Sequence, residues 1–442
     1  MYPVIPKRKI FVSIILSAIL VVLMVAGCDA ISRVESILGM TTSPVSLTTI
    51  PTEVTLQPPS ETPPPEQPRE LTIILWVPPQ FAPTEENPGG TVLIERLAAF
   101  EQENPGLKVD VRVKSLEGNG GLLASLGTTT AAAPEALPGL VLLNRSDLET
   151  AALKGLIFPI TSRAYEYNTP DYFPFILELT SYQGIQYGLP LFFDPLVMAY
   201  NSRLIAFPPS TWSELIAQGD KVLLNLNDPM APIPFAVYLS NGGTLLTEDG
   251  APVLEPDPLT RTYQFFFNGA NADVFPAWLP DLRTNNDTWD AYAKGQGVYA
   301  LAWASQALRN PVDNTAITTT PTNPSFPIAL VDGWMLCITN PTTENSRYDL
   351  LLANYLLEPD FLVRWSETSG YLPAQRSVLA QWNDQSVAET LTLAADQAVP
   401  VPNNEVQQML GSILNQYAIS LVRRQTSPMQ AVTDTLTNLE NQ

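Results

Sequence analysis

Residues 182–201 read YQGIQYGLPLFFDPLVMAYN. Tyr187-Gly188-Leu189-Pro190 enters an apolar run, Leu196 to Tyr200 continues it, and Asp194-Pro195 interrupts the middle. An apolar, aromatic run cut by Asp-Pro reads as two short buried strands around a polar corner. A carboxylate flanked by Phe192, Phe193 and Pro195 suits the lip of a binding site. It suits an ordinary turn equally well.

Outward from this stretch, strand and helix patterns alternate. Residues 71–77 (LTIILWV) are almost continuously apolar, as in a strand buried on both faces. Residues 91–103 carry Leu93, Leu97 and Phe100 at helical spacing, and Asn104-Pro105-Gly106 stops them. Residues 107–113 alternate as a strand, a weak Gly-rich helix covers 121–127, and 139–143 form a short buried strand. Ser146 and Glu149 then read as a capping box opening a helix that ends at Gly155. Downstream, Thr211 and Glu214 form a second capping box, 225–234 is irregular, and 235–240, 261–267 and 288–294 read as helices. A strand follows at 298–303. Residues 326–340 read as two strands broken at Asp332-Gly333, 346–357 and 360–368 as helices, and 370–373 as a tight turn. The last helices cover 405–423 and 429–439. The alternation implies an α/β fold with mostly parallel sheets flanked by helices.

The chain has 442 residues, enough for two or three domains. With 23 Lys+Arg against 44 Asp+Glu its formal charge is −21, which repels phosphate backbones and argues against nucleic acid as a partner. There is no histidine, so histidine-based triads and HExxH zinc sites are excluded. No cofactor or metal site is expected. Cys337 lies in an apolar strand and reads as a buried small hydrophobe.

Residues 1–27 read as a targeting segment. Lys7, Arg8 and Lys9 precede an apolar run, and Val25-Ala26-Gly27-Cys28 closes it with small residues before a cysteine. The alternative is an uncleaved anchor, and both place the remainder outside the cytoplasmic membrane. Residues 28–70 are rich in Pro and Thr without periodicity, the composition of an extended tether.

Several segments together resemble a known family. The run GLPLFFDPLVMAYN, with ENPGLKV, LVLLNRSDL, PPSTWSEL, WDAYAKGQGVYALAW, FPIALVDGWMLCITN and GYLPAQRSVL in order, resembles the extracellular solute-binding proteins of ABC transporters, including maltose-binding-protein-like members. The start resembles a bacterial lipoprotein signal, which implies that Cys28 is lipidated and anchors the protein to the cell membrane. Ala133 to Gly139 departs from the family pattern, with a Pro-broken approach where a Pro-Asp pair is usual. The resemblance implies a two-lobed periplasmic-binding-protein-like fold with a hinge between lobes. Carried onto this chain, lobe 1 covers 71–158 plus 328–380, and lobe 2 covers 159–327 plus 381–442. It also implies a monomeric, extracytoplasmic, non-enzymatic binder that delivers a polar solute, a carbohydrate first, to ABC permease subunits.

Ligands of α/β sheets sit beyond the carboxyl ends of strands. That rule, with the polar breaks above, selects Trp76, Asn144, Arg145, Asp147, Asp194, Asp228, Trp303, Asp332, Trp334 and Tyr371 as candidate ligand-binding residues. Aromatic rings cover the apolar faces of sugars, and Asp, Asn and Arg exchange hydrogen bonds with their hydroxyls. Each has a plainer reading as core, helix cap, turn former or surface ion pair. Two rival functions stand beside import: a tethered sensor or adhesin without a transporter, and a glycoside hydrolase drawing two carboxylates from Asp147, Asp194, Asp228 and Asp332.

Overall fold

The computed structural model describes residues 70–160, 169–340 and 345–441. The signal segment, Cys28 and nearly all of the tether lie outside the described residues.

The strands in chain order are β1 (Leu71–Val77), β2 (Leu107–Val113), β3 (Leu140–Asn144), β4 (Ser181–Tyr182), β5 (Ile185–Gln186), β6 (Gly188–Asn201), β7 (Val222–Leu223), β8 (Tyr299–Trp303), β9 (Thr315–Thr319), β10 (Ala329–Ile338), β11 (Leu372–Pro373) and β12 (Ala398–Pro400). The main sheet runs β2-β1-β3-β10-β6-β8-β7, with β11 and β9 also on β6 and β12 on β10. The α/β fold with flanking helices is present. Parallel pairing joins β1 to β2 and β3, β7 to β8, and β12 to β10. The two long crossing strands, β6 and β10, run antiparallel to each other, and β10 also runs antiparallel to β3 and β6 to β8.

The stretch read as two strands around a corner is one strand. From Gly188 to Pro195 β6 pairs with β10, and from Leu196 to Asn201 it pairs with β8 and β9. Pro195 falls where the strand leaves one partner and takes up the next, so its missing N–H coincides with a gap already in the ladder. Pro190 sits at a register shift that leaves Leu191 unopposed, a β-bulge. β6 is buried from Gly188 to Ala199, which is why it shows no polar alternation. Residues 329–338 are likewise one strand, not two broken at Asp332-Gly333. Asp332 faces Asp194 and Gly333 faces Phe193 in register. Gly333 serves close approach rather than turning, since a Cβ there would lie 3.0 Å from the Phe192 carbonyl oxygen.

Helix starts follow the same logic, with corrections. Thr211 and Glu214 form the expected capping box. Ser146 and Glu149 do not. The cap is Asn144, whose side chain accepts from the Asp147 N–H and opens the helix Arg145–Leu153. A further box, Thr284 with Asp287, opens Asn285–Ala293, three residues ahead of the expected start. The helix expected at 261–267 spans Pro256–Asn271, with proline pre-set at its first turn. Pro232–Ser240 begins inside the stretch read as irregular; Gln385–Asp396 is a further helix, capped by Asp384 and burying Ala388, Leu391 and Ala395 at helical spacing, while the short strands β7, β9 and β12 lie below the reach of periodicity.

The described residues hold separate cores. In the first, Ile73, Leu75, Leu140 and Leu142 pack on Leu93, Phe100, Leu352 and Trp365. Their opposite face holds Val141, Leu143, Leu148, Met335 and Cys337. In the second, Leu196, Met198 and Tyr299 pack on Phe235, Tyr263, Phe266 and Leu414. Phe193 and Val197 of β6 and Val331 of β10 join a third cluster where the crossing strands meet. Fully burying each such side chain contributes about 1.5–3 kcal/mol, so continuous burial of β6 ties both cores to one rod.

Candidate functional site

Beside the Asp194–Asp332 register pair of β6 and β10, a cavity of about 450 Å³ is lined by Asp194, Trp303, Asp332, Trp334 and Tyr371. These are five of the residues selected from the sequence. Asp194 and Asp332 come from the middles of β6 and β10, and Trp303 ends β8. Tyr371 follows Gly370, which closes the helix Pro359–Ser369 in the left-handed region at φ 72°. That glycine is doubly constrained, because a Cβ would meet Arg309 Cγ at 2.6 Å. Trp334 and Tyr371 are backed by Phe81, with ring centroids 5.4 and 4.9 Å away. Trp303 is half-buried, as an aromatic wall facing a cavity should be.

Gln80, Leu116, Asn285, Asn286, Gln306 and Arg309 complete the lining with Ser305. None of these six was selected as a ligand-binding residue. Asn285 and Asn286 sit in the first turn of a capped helix, and Arg309 ends the short helix Ala304–Arg309 that follows Trp303. The Thr284 cap signal was available; nothing local marked Gln80 or Leu116.

The electrostatics centre on a cross-strand carboxylate pair. Both oxygens of Asp194 accept from Ser305, one from its N–H at 2.9 Å and one from its hydroxyl. Burial nevertheless pushes the Asp194 carboxyl up to about 7. The Ser305 donors and Arg309 act against that rise, and Asp332 adds to it. Asp332 Oδ1 accepts from the Gly333 N–H at 2.8 Å. Burial raises it to about 6, opposed by the Gly333 and Arg145 backbone N–H groups. Arg309 is the one cation among the lining residues. Its guanidinium lies 5.7 Å from the Tyr371 ring centroid. Burial pushes the Tyr371 phenol up to about 12, so it stays a neutral donor and acceptor. Among the described residues, no group of three or more Cys, Asp or Glu side chains is placed to hold a metal ion.

The other five selected residues lie outside this lining. Trp76 is only 2% exposed and packs with Leu122, Leu126 and Val141, with the Lys114 ammonium 4.8 Å from its ring. Asn144 is occupied as a helix cap. Arg145 is buried and pairs with Glu149 at 3.1 Å and Glu178 at 3.3 Å. Asp147 stands in the same first turn, where burial, and secondarily Glu117, raise it to about 6. Asp228 accepts from the Met230 N–H at 3.0 Å and from Asn285 at 3.3 Å, so it backs a lining residue.

The sequence profile of the bacterial extracellular solute-binding proteins matches residues 95–395. Among solved structures, maltose-bound MalE3 of T. maritima shares 18% identity at a TM-score of 0.65, over 84% of this chain and 99% of that one. The sugar-binding protein MalE of Xanthomonas citri shares 19% at 0.67, over 84% and 97%. An ABC transporter solute-binding protein of Thermotoga lettingae, bound with alpha-D-tagatose, shares 19% at 0.64, over 84% and 99%. At these identities the likeness is one of fold, the two-lobed α/β architecture. No curated protein sequence matches the chain.

Proposed function

The chain belongs to the bacterial extracellular solute-binding proteins, and from that premise we propose that it captures a sugar or oligosaccharide in the cavity where the lobes meet. The observation that carries this reading is the convergence of three aromatic rings and two carboxylates, drawn from four separate parts of the chain, on one cavity. Trp303, Trp334 and Tyr371 offer faces to apolar C–H surfaces. Asp194 and Asp332 accept from hydroxyls, Arg309 donates, and Gln80, Asn285, Asn286 and Gln306 do both. A cavity of about 450 Å³ lies within the range usual for small-molecule sites. The similar structures bound to maltose and alpha-D-tagatose agree with this solute class.

The same reading makes Cys28 a lipidated anchor and ABC permease subunits the downstream partner. Asp194 and Asp332 also invite comparison with a hydrolase pair. Both oxygens of Asp194 are already engaged by Ser305, which suits holding a ligand better than moving a proton.

A thermal-shift screen against monosaccharides, maltose, maltotriose and longer glucans tests the proposal. A ligand at about 100 times its Kd stabilises the folded state by about 2.7 kcal/mol. No shift with any carbohydrate, alongside a shift with another solute class, would replace the sugar. Release of reducing ends on incubation would favour the hydrolase.

A further inference from the structure

We propose that Asn404 is a positioning residue for the cleft: from the second lobe it clasps the helix Arg145–Leu153, whose first turn stands beside Asp332. The proposal rests on reading the cavity at Asp332 as the solute site.

All the polar atoms of the Asn404 side chain face that helix. Its Nδ2 donates to the Ser146 carbonyl at 2.8 Å and to Thr150 Oγ1 at 3.0 Å, and its Oδ1 accepts from Ser146 Oγ at 2.6 Å. Its backbone N–H donates to Glu149 Oε2 at 2.8 Å. Glu149 is buried, and its other oxygen accepts from Arg145 Nε. The clasp joins the two cores. Two residues on from Asn404, Val406 packs with Leu410 and Leu414 in the second lobe. The helix sends Leu148 and Ala151 into the first, against Leu143 and Met335.

The helix meets the cleft through the register of β3 on β10. Asn144 faces Trp334, and the backbone N–H of the next residue, Arg145, bonds Asp332, two residues before Trp334 on β10. A second path closes the ring: the Val401 N–H donates to the Val331 carbonyl at 2.8 Å, next to Asp332. The segment 401–404 therefore reaches Asp332 from both sides, once through the bond of Val401 to the neighbouring Val331 and once through the helix. Such a closed circuit of hydrogen bonds moves as a unit, so slack at Asn404 becomes slack at Asp332. Asn404 is only half-buried and borders an open groove of about 850 Å³ beside Arg145, Glu149 and Tyr182. It can be changed without emptying a core.

The test combines a ligand-free and a ligand-dependent readout on the full chain. The Gly333 N–H donates to Asp332 Oδ1, so its amide exchange reports the carboxylate's position. Asn404→Ala removes three of the four bonds and should speed exchange at Gly333 and Arg145. It should also raise the Kd for maltotriose roughly tenfold, with the apo melting temperature within a few °C. Thr150→Val removes one acceptor, keeps the shape and should act in the same direction more weakly; it decides the matter if Asn404→Ala does not fold. Unchanged exchange at Gly333 overturns the clasp. Faster exchange with an unchanged Kd overturns its coupling to the cleft. Should the wild-type chain bind no maltotriose, the assigned solute fails separately, and exchange at Gly333 alone decides the clasp.

Discussion

Asp194 shows what burial does to a site carboxylate. Its folded pKa, about 7, lies above the ordinary value near 3.8. The folded state therefore holds a proton that the unfolded chain releases. That contribution to stability is complete below about pH 4 and is lost as pH rises towards 7. Asp332, Asp147 and Asp349, each raised to about 6, act in the same sense. The lowered carboxyls of Glu101, Glu214 and Asp287 lose their contribution only as pH falls below the usual carboxylate range. The ligand-free protein should thus melt several °C lower at pH 8 than at pH 5. A higher melting point at pH 8 would reverse the sign. Ser305→Ala refines this, because the ionised carboxylate needs the hydroxyl more than the protonated form does. It should cost about 1–3 kcal/mol at pH 8 and visibly less at pH 5. Equal losses from urea titrations at both pH values would mean that Asp194 does not change protonation between them.

Asp-Pro and Asp-Gly are sound turn signals, and here both failed for a reason visible in the elements. Pro195 needs no ladder donor because β6 changes partners at that residue, and Gly333 is small because β6 passes close by. Local composition cannot register a neighbour from another part of the chain. Where burial is continuous or alternation clean, as in β1, β2 and β8, the strands were legible within a residue. The site shows the same division. Trp303, Asp332 and Tyr371 stood out as polar or aromatic breaks beside apolar runs. Trp76 stood out by the same rule, yet its strand end is covered by Leu122 and Leu126. Arg309, Asn285 and Gln80 carry no local pattern and meet the cavity only through the fold. Gly333→Val tests the unbroken strand. Forcing a branched side chain against the Phe192 carbonyl and Leu179 should cost about 1–3 kcal/mol. A neutral result in chemical denaturation would mean that β10 does bend there.

Across the whole molecule, one rod shared by two cores is a natural pivot. A solute that contacts both walls of the cavity favours whichever lobe arrangement lets it touch both, and by no more than its difference in affinity for the two. The tether and anchor proposed for residues 28–70 carry their own checks. Cys28→Ser should free the protein from membranes or block its processing; unchanged retention and N-terminal mass would favour an uncleaved anchor. Limited proteolysis should cut between residues 41 and 70 before it reaches the folded region. Resistance there would mean that the segment packs on the lobes.

Calorimetric titration of the best sugar from the thermal screen into the wild-type protein and into Trp303→Ala tests the cavity most directly. Losing a stacked ring should weaken binding roughly tenfold or more. The apo protein should lose less than the roughly 3–5 kcal/mol that emptying a packed core site costs. Unaltered affinity with a large stability loss would make Trp303 a core residue and remove the main apolar wall of the proposed sugar site.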